Sequence, residues 1–443
     1  MRIILLIIGF TLLSVVNAQD TKVWTLKECV DYALENNISI KQSELDKNIS
    51  IEDVKVAKWN FAPNLNANAS QSFNFGSSIG VSGARIPADF RSNNFGINST
   101  INLFDGFANV HTLSQAKIGV KVQEAAITKM KNDISLNVVN SYLQILFAKE
   151  QLKVVESQLT ISGAEVNRIK ELVDAGVLPQ GDLLNIESNL ATDNQNVIVA
   201  QNTLTIASLR LAQLLQLDIM DIKVEDISVD IQNQAILSND VGAIYNKANE
   251  TFPEIKLAEL NILNAEKSVK ISRANFYPSL TASFGMNTAY QHRQSTTDFS
   301  PFLFSDQIDD NLGQSIVFSL NIPIFNRYQF RSNVNKSKIN VEKVQYNLES
   351  ERLRLRETIQ TAYTDALASS KSYDAAITSV TAQQKAFDYS QERFKAGAIN
   401  SFDFNQTKNN LLNAQSQLIQ SKYDFMFKLK VLEFYFGVPF IGE

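Results

Sequence analysis

The chain has 443 residues, a formal net charge of −5, two histidines and one cysteine. The mild negative charge argues against a nucleic-acid partner, because proteins that bind nucleic acids carry strongly basic surfaces. Two histidines (His111 and His292) and one cysteine (Cys29) exclude a His/Cys metal cluster and a Cys–His catalytic pair, so we expect no metal or cofactor.

Residues 1–18, MRIILLIIGFTLLSVVNA, predict a cleaved signal peptide. Arg2 precedes an apolar run from Ile3 to Val16, and Ala18 fits the cleavage site. The run is shorter than the roughly 20 residues that a membrane-spanning helix needs, which disfavours the alternative of a transmembrane anchor. Downstream, no apolar run reaches that length. We therefore expect an exported chain that is periplasmic, secreted or in the outer membrane.

Several motifs recur along the chain and indicate a duplication. NFAPNL at 60–65 matches NFYPSL at 275–280, and NLFDG at 102–106 matches PIFNR at 323–327. From the second motif onward the offset stays at 221 residues (residue 102 against residue 323). A period this long indicates a duplicated domain. We predict a first structural repeat over 19–217, a connector over 218–238, a second repeat over 239–437 and a tail over 438–443.

Heptad spacing predicts a long helix and a return helix in each repeat. Within the first long helix, apolar residues recur every seven positions at Val138, Ile145, Leu152, Leu159, Val166 and Val173. The predicted long helices cover about 107–174 and 328–395, and the return helices about 182–217 and 402–436. Each long helix would measure about 100 Å. On their own, these patterns favour an antiparallel coiled coil.

Four uncharged segments predict strands, at about 64–76, 95–104, 279–290 and 314–325. In the second segment, Phe95, Ile97 and Ile101 alternate with small polar residues, the period expected of a strand with one apolar and one polar face. Strands of about ten residues match a bilayer crossed at a tilt. A soluble sheet, the alternative, would normally carry Lys or Glu on its wet face. The charged residues between paired strands predict external loops: Arg85, Asp89, Arg91, Arg293, Asp298, Asp306, Asp309 and Asp310.

Four strands cannot close a barrel by themselves. In lipid, an open sheet edge leaves backbone donors and acceptors unpaired, at a cost of several kcal/mol each. The smallest usual transmembrane barrel has eight strands, so the membrane interpretation requires several copies of the chain to share one barrel. The same copies would lay their long helices side by side as a tube.

The paired halves, the LFDG and IPIFNR motifs and the turns AGVLPQGDLL and AGAINSFDFN resemble the TolC-like outer-membrane efflux protein family. The resemblance implies an α+β membrane protein in the outer membrane, a homotrimer with a 12-strand β-barrel continued by a long periplasmic α-helical barrel. It also implies contact with outer-membrane lipid, docking to a periplasmic adaptor (membrane fusion) protein and, through that adaptor, to an inner-membrane pump.

The two turns are the candidate functional site. Gly176 and Gly397 fit left-handed helix caps, while Asp182 and Asp403 fit the positive N-terminal end of the following helix. In an oligomer, Asp403 would ring the entrance and attract cations. The family resemblance implies that Asp403 constricts the periplasmic gate, but Gln406 replaces its second acidic residue. It also places adaptor contacts at these residues: Gly176, Val177, Leu178, Gly397, Ala398 and Ile399.

The leading hypothesis is a passive outer-membrane exit duct of a tripartite efflux or type I secretion system, carrying drugs, small molecules or proteins. The alternative is a secreted structural or adhesive antiparallel coiled coil. An exported enzyme is a third hypothesis, although no motif suggests carboxylate chemistry. We therefore predict that the chain is not an enzyme. Its cargo is not readable from the sequence.

Overall fold

The computed structural model describes residues 22–79, 83, 85–87, 89–218, 222–227, 235–238, 240–293 and 303–438. The predicted signal peptide, Asp298 and residues 439–443 of the predicted tail lie outside these residues. The chain divides into two compact units. The first contains residues up to 41, 130–250 and 355 onward, and the second contains 42–129 and 251–354.

Helices dominate both repeats. The α-helices are α1 (Leu26–Asn36), α2 (Ile38–Trp59), α3 (Ala108–Asp174), α4 (Gln180–Leu215), α5 (Val241–Thr251), α6 (Pro253–Ala274), α7 (Phe304–Asp310), α8 (Gln329–Lys395) and α9 (Ser401–Phe436). Helices α3 and α8 each have 67 residues, and α4 and α9 each have 36. None of the helices described here has the length and apolar character needed to cross a membrane.

Strands are fewer and shorter. They are β1 (Val23–Trp24), β2 (Asn66–Asn74), β3 (Ser77–Ile79), β4 (Arg85–Pro87), β5 (Phe90–Phe104), β6 (Lys223–Val224), β7 (Ser279–Arg293) and β8 (Gly313–Asn321). In the connector, the described residues include β6 and a short 3₁₀ helix at Ala235–Ser238.

The backbone repeats the duplication seen in the sequence. Left-handed φ values between 52° and 85° occur at four pairs of positions, each separated by 221 residues. The pairs are Gly106 and Arg327, Phe107 and Tyr328, Gly176 and Gly397, and Gln216 and Gly437. Two of these pairs keep the conformation although only one member is a glycine. The two repeats therefore share backbone geometry at points where their side chains have diverged.

In the first unit, Tyr142 anchors α3 to the small parallel sheet formed by β1 and β6. Tyr142 is completely buried, and its hydroxyl lies 3.0 Å from the Trp24 carbonyl oxygen and 2.8 Å from that of Glu225. Burial raises the pKa of this hydroxyl, which keeps it protonated as a donor. The surrounding apolar cluster includes Cys29 and Leu211. This contact connects the connector and the N-terminal segment to the long helix.

The second unit contains a four-stranded antiparallel sheet in the order β2-β5-β7-β8. Register pairs Ile97 with Met286 on one face and Gly96 with Asn287 on the other. A bulge interrupts the pairing of β5 and β7 between Asn102 and Phe104. The predicted alternation of apolar and polar residues thus becomes two chemically different faces.

Several predicted strand limits and loops were wrong. The fourth strand ends at Asn321 instead of 325, and Pro323, which lacks an N–H donor, follows soon after. The second begins at Phe90 instead of 95, because its pairing with β2 and β7 continues through Arg91. Consequently Arg91 and Arg293 lie in strands, as does Arg85 in β4, while Asp306, Asp309 and Asp310 lie in α7.

Replacement of Tyr142 by Phe tests the anchor of α3. We expect Y142F to lower the free energy of unfolding by about 1–2 kcal/mol, because the hydroxyl that bonds the Trp24 and Glu225 carbonyl oxygens is lost from a buried position. The matched control is Tyr389→Phe, at a tyrosine that is 69% exposed, and it should change stability little. Denaturant unfolding of the purified protein in detergent measures both variants. Equal effects of the two changes would contradict the proposed role of Tyr142.

Cys29 provides a second test of the packing in this unit. It is completely buried, and burial raises the pKa of its thiol to about 12. Because the thiolate is the reactive form, we expect a water-soluble thiol reagent to leave Cys29 unmodified at pH 8 until the protein is denatured. Rapid modification of the folded protein would show that this core is open.

Candidate functional site

The two predicted turns have nearly the same backbone. Gly176 has a φ of 73° and donates its N–H to Val173 O at 2.9 Å, and the Val177 N–H reaches Leu172 O at 2.8 Å. In the second turn, Gly397 has a φ of 71°, with equivalent bonds of 3.0 and 2.8 Å from Gly397 and Ala398. This pair of bonds is the Schellman motif, which satisfies the last carbonyl groups of α3 and α8.

The helices that follow begin differently. Asn400 caps α9, because its side-chain oxygen accepts the Asp403 N–H at 2.8 Å. Pro179 precedes α4 and offers no side-chain cap, so the Asp182 N–H bonds to the Pro179 carbonyl oxygen at 3.1 Å. Both aspartates occupy the first turn of a helix, where the backbone dipole favours a negative charge.

The three residues predicted to form a gate differ in their surroundings. Asp182 is half-buried, whereas Asp403 and Gln406 are exposed. Gln406 donates its side-chain amide to Asn410 at 3.1 Å, on the same face of α9 as Asp403. This face therefore carries one formal charge, at Asp403, followed by neutral amides.

The six residues expected to contact an adaptor separate into three groups. Leu178 and Ile399 are partly buried against the apolar cluster behind the turns, so their surfaces are largely used within the chain. Val177 is 66% exposed and Ala398 is also exposed. The two glycines adopt the left-handed backbone conformation of the turns. Phe402, which the sequence interpretation missed, is 74% exposed. Val177, Leu184 (58% exposed) and Phe402 are thus large apolar groups that the turn segments present outward.

An aromatic core lies behind the turns. Phe404 is completely buried, and its ring stacks on Phe394 with centroids 4.6 Å apart and planes 7° from parallel. The centroid of the Phe387 ring lies 5.7 Å from that of Phe404, in the same cluster. Ile169 and Leu183 from the first repeat belong to this cluster as well. Apolar contacts therefore join the two turns of one chain.

Arg168 of α3 adds a polar link between the repeats. Its Nη2 donates to Phe394 O at 3.0 Å and to Lys395 O at 3.2 Å, at the C-terminal end of α8. The guanidinium also lies 4.9 Å from the centre of the Phe394 ring. A cation at this end of a helix is favoured by the dipole and by hydrogen bonds to the last carbonyl groups.

A buried polar triad of Ser162, Asp193 and Lys408 connects three helices near the turns. Lys408 Nζ lies 3.2 Å from Asp193 Oδ2 and 2.8 Å from Ser162 Oγ, and the Ser162 hydroxyl also contacts Asp193. Nearby, burial raises the pKa of Glu165, while the charges of Arg168, Lys408 and Lys395 act in the opposite direction. Sequence reasoning missed the triad, although Lys408 stands between Phe404 and Leu411 on the apolar stripe of α9.

The polar face of the sheet is lined by amides and hydroxyls. Gly96 lies between Asn68 and Asn287, and a Cβ at this position would approach their side-chain oxygens to 2.9 and 2.6 Å. Asn98 donates its side-chain amide to Asn68 at 3.2 Å. The four rows of paired residues from Gly96 to Asn102 on this face contain no charged residue. Such a surface offers hydrogen bonds without selecting strongly by charge.

Over the part of the chain that the structure describes, no group of three or more His, Cys, Asp or Glu side chains is arranged to hold a metal ion. The turns instead place single carboxylates beside apolar and amide groups. The turns therefore combine exposed negative charge at Asp403 with small exposed apolar patches.

Comparisons with known proteins cover most of the chain. The family described as "Outer membrane efflux protein" matches residues 29–216 and 244–437. Outer membrane protein TolC of Escherichia coli (strain K12) is 20% identical over 399 residues, covering 88% of this chain and 78% of that protein. Outer membrane efflux protein BepC of Brucella suis is 22% identical over 402 residues, covering 90% and 82%. The Campylobacter jejuni CmeC outer membrane channel has a similar fold, with a TM-score of 0.75, 17% identity and coverage of 93% and 85%.

Alanine substitutions test whether the turns require left-handed backbone. We expect G176A and G397A each to lower the free energy of unfolding by about 1–2 kcal/mol, because a Cβ is disfavoured at positive φ. Gly163→Ala is the matched control: Gly163 lies inside α3 with open space around it, so the change should stabilise the helix by about 0.5–1 kcal/mol. Denaturant unfolding distinguishes the opposite signs. The same sign at all three positions would refute the assignment.

Proposed function

The chain belongs to the outer membrane efflux protein family and serves as an outer-membrane channel, and we propose that it works as a homotrimeric exit duct. The family assignment leaves the alternative, a secreted adhesive coiled coil, without support. In the proposed assembly the sheet crosses the outer membrane and the long helices extend into the periplasm. Cargo then passes outward along the polar faces of the strands without being chemically changed.

The exposed apolar face of the sheet is the observation that carries this proposal. Ile316 and Phe318 are 69% and 68% exposed, and register places Phe284 beside Ile316 on the same face. A continuous exposed apolar patch marks a surface that is covered by lipid or protein. Over the rows from Gly96 to Asn102 the opposite face carries no charged residue, which suits a water-filled interior. The two faces therefore match a wall between lipid and an aqueous passage.

The edges of the sheet support sharing of one barrel between copies. Strands β2 and β8 stand at the ends of the strand order, so among the residues that the structure describes each has one side without a partner strand. In lipid those backbone groups need partners, which the β8 edge of one copy and the β2 edge of the next supply. Two copies would give eight strands and three would give twelve. We propose three because the family resemblance implies a trimer.

The turns are the proposed contact with other components. Val177, Ala398 and Phe402 present exposed apolar surface that fits an adaptor protein, and the adaptor would connect the duct to an inner-membrane pump. Asp403 is the proposed gate residue: three copies would form one ring of carboxylates at the periplasmic entrance. Because Gln406 is neutral, we propose a single acidic ring. Asp182 is half-buried and would contribute less to the negative charge at the entrance.

Extraction and bilayer recording test the channel. We expect the protein to fractionate with outer membranes, to be cross-linked as a trimer in detergent, and to give discrete conductance steps in planar bilayers. A soluble monomer without conductance would overturn the proposal. Cross-linking to a dimer with conductance would retain the duct and correct its stoichiometry.

The acidic ring makes a further prediction about ion selectivity. Asp403→Asn should lower the permeability ratio of K⁺ to Cl⁻, and Gln406→Asp should raise it, because selectivity follows the charge at the narrowest ring. Asp388→Asn removes an exposed carboxylate from α8 and is the matched control, with no expected change. Reversal potentials in a salt gradient measure all three variants. An unchanged ratio in both test variants would remove Asp403 from the gate.

A further inference from the structure

The polar triad is unusually well buried for a charged cluster. Ser162 in α3, Asp193 in α4 and Lys408 in α9 are 1%, 6% and 3% exposed. Lys408 Nζ contacts both partners, at 2.8 Å to Ser162 Oγ and 3.2 Å to Asp193 Oδ2. One side chain from the second repeat is thus held by two helices of the first repeat.

Stability alone gives a poor explanation for the triad. Removing a carboxylate and an ammonium group from water carries a large desolvation penalty, which their attraction offsets only with good geometry. Replacement of such pairs by apolar residues of similar volume is often neutral or stabilising. The best-attested use of a buried polar group in packed helices is to fix how the helices are aligned.

The apolar packing of these helices specifies alignment weakly. Residues recur every seven positions in α4 at Leu183, Leu190, Val197, Leu204 and Leu211. They recur in the same way in α9 at Phe404, Leu411, Leu418, Phe425 and Leu432. After an axial shift, much of the packing again places an apolar residue against an apolar residue. Repetitive seams of this kind tolerate shifted registers unless a polar contact excludes them.

We propose that the polar triad fixes the axial register of α9 against α3 and α4, with Lys408 as the positioning residue. Lys408 follows Asp403 by five residues, about 7.5 Å along the helix. The contact made by Lys408 therefore determines the axial position of the second turn relative to the first. The inference rests on the proposed function in one respect, namely that the two turns together form the entrance.

The geometry admits one register. A shift of one helical turn, about 5.4 Å, would remove Lys408 Nζ from both oxygens. It would also bring an apolar neighbour such as Phe404 or Leu411 toward Asp193 and leave a buried carboxylate without its cation. Since an uncompensated buried charge is strongly destabilising, the shifted arrangements are excluded by the triad.

An apolar replacement of the whole triad separates register from stability. In the variant Ser162→Ala, Asp193→Leu, Lys408→Met, we expect the folded trimer to persist while the alignment of the turns becomes less uniform. Spin labels at Val177→Cys and Phe402→Cys, both exposed, report the distance between the two turns. The natural Cys29 is buried and should not be labelled. Labelled chains are diluted with unlabelled ones, so that distances within one chain are measured.

We expect the width of the distance distribution in the apolar variant to be at least double that of the parent. The conservative variant Lys408→Arg, which keeps the charge, should retain the narrow distribution. Glu150→Leu with Lys153→Met, which removes an ion pair within one turn of α3, is the matched control and should also stay narrow. The control shows whether the loss of any ion pair on α3 is enough to broaden the distance distribution.

Two results would overturn the inference. A narrow distribution in the apolar variant would show that packing alone fixes the register. Failure of that variant to fold would show instead that the triad is needed for the stability of the fold. Conductance of the parent chain is recorded separately: absence of conductance contradicts the channel, whereas the distance distributions test the register whatever the conductance.

Discussion

Pairing of backbone groups at the edges of the sheet is the constraint on which the proposed assembly depends. In the described part of the chain, one side of β2 and one side of β8 have no strand partner, and a bilayer offers no water to replace it. The apolar face of the same sheet favours contact with lipid. Joining of copies edge to edge satisfies both requirements. It would also place the long helices of neighbouring copies side by side, and their narrow apolar seams permit that contact.

Much of this architecture could be predicted because it follows from periodic patterns. Heptad spacing identified α3 and α8, and alternation identified the four long strands. The errors arose where the chain departs from a period: Ile322 and Ile324 continue the alternation after β8, although Pro323 intervenes, and α7 is too short to show a helical pattern. At the turns, spacing located Gly176 and Gly397 but not the inward packing of Leu178 and Ile399. Lys408 was missed because one charge in a long apolar stripe has no periodic signature.

The duplication explains why the two turns share a backbone, and their differences bear on the proposed gate. Both use a left-handed glycine, but α9 has a side-chain cap from Asn400 and α4 has none. Asn400 already accepts the Asp403 N–H, so the Asp403 carboxylate is not needed as a cap and lies exposed. Asp182 is half-buried in the first copy. An exposed carboxylate is the better residue for an electrostatic ring.

Long repetitive helices pack well in many alignments, so a small number of contacts that do not repeat must select one. Along α3 such contacts occur at Tyr142, Ser162 and Arg168, a stretch of about 40 Å. Each joins α3 to a different partner: the small parallel sheet, the helices α4 and α9, and the end of α8. The repeating seam then supplies most of the buried apolar area, while these three polar contacts determine which register that area adopts. In the proposed duct, whose entrance the two turns would form, this division of roles would allow the seams to diverge without moving the entrance.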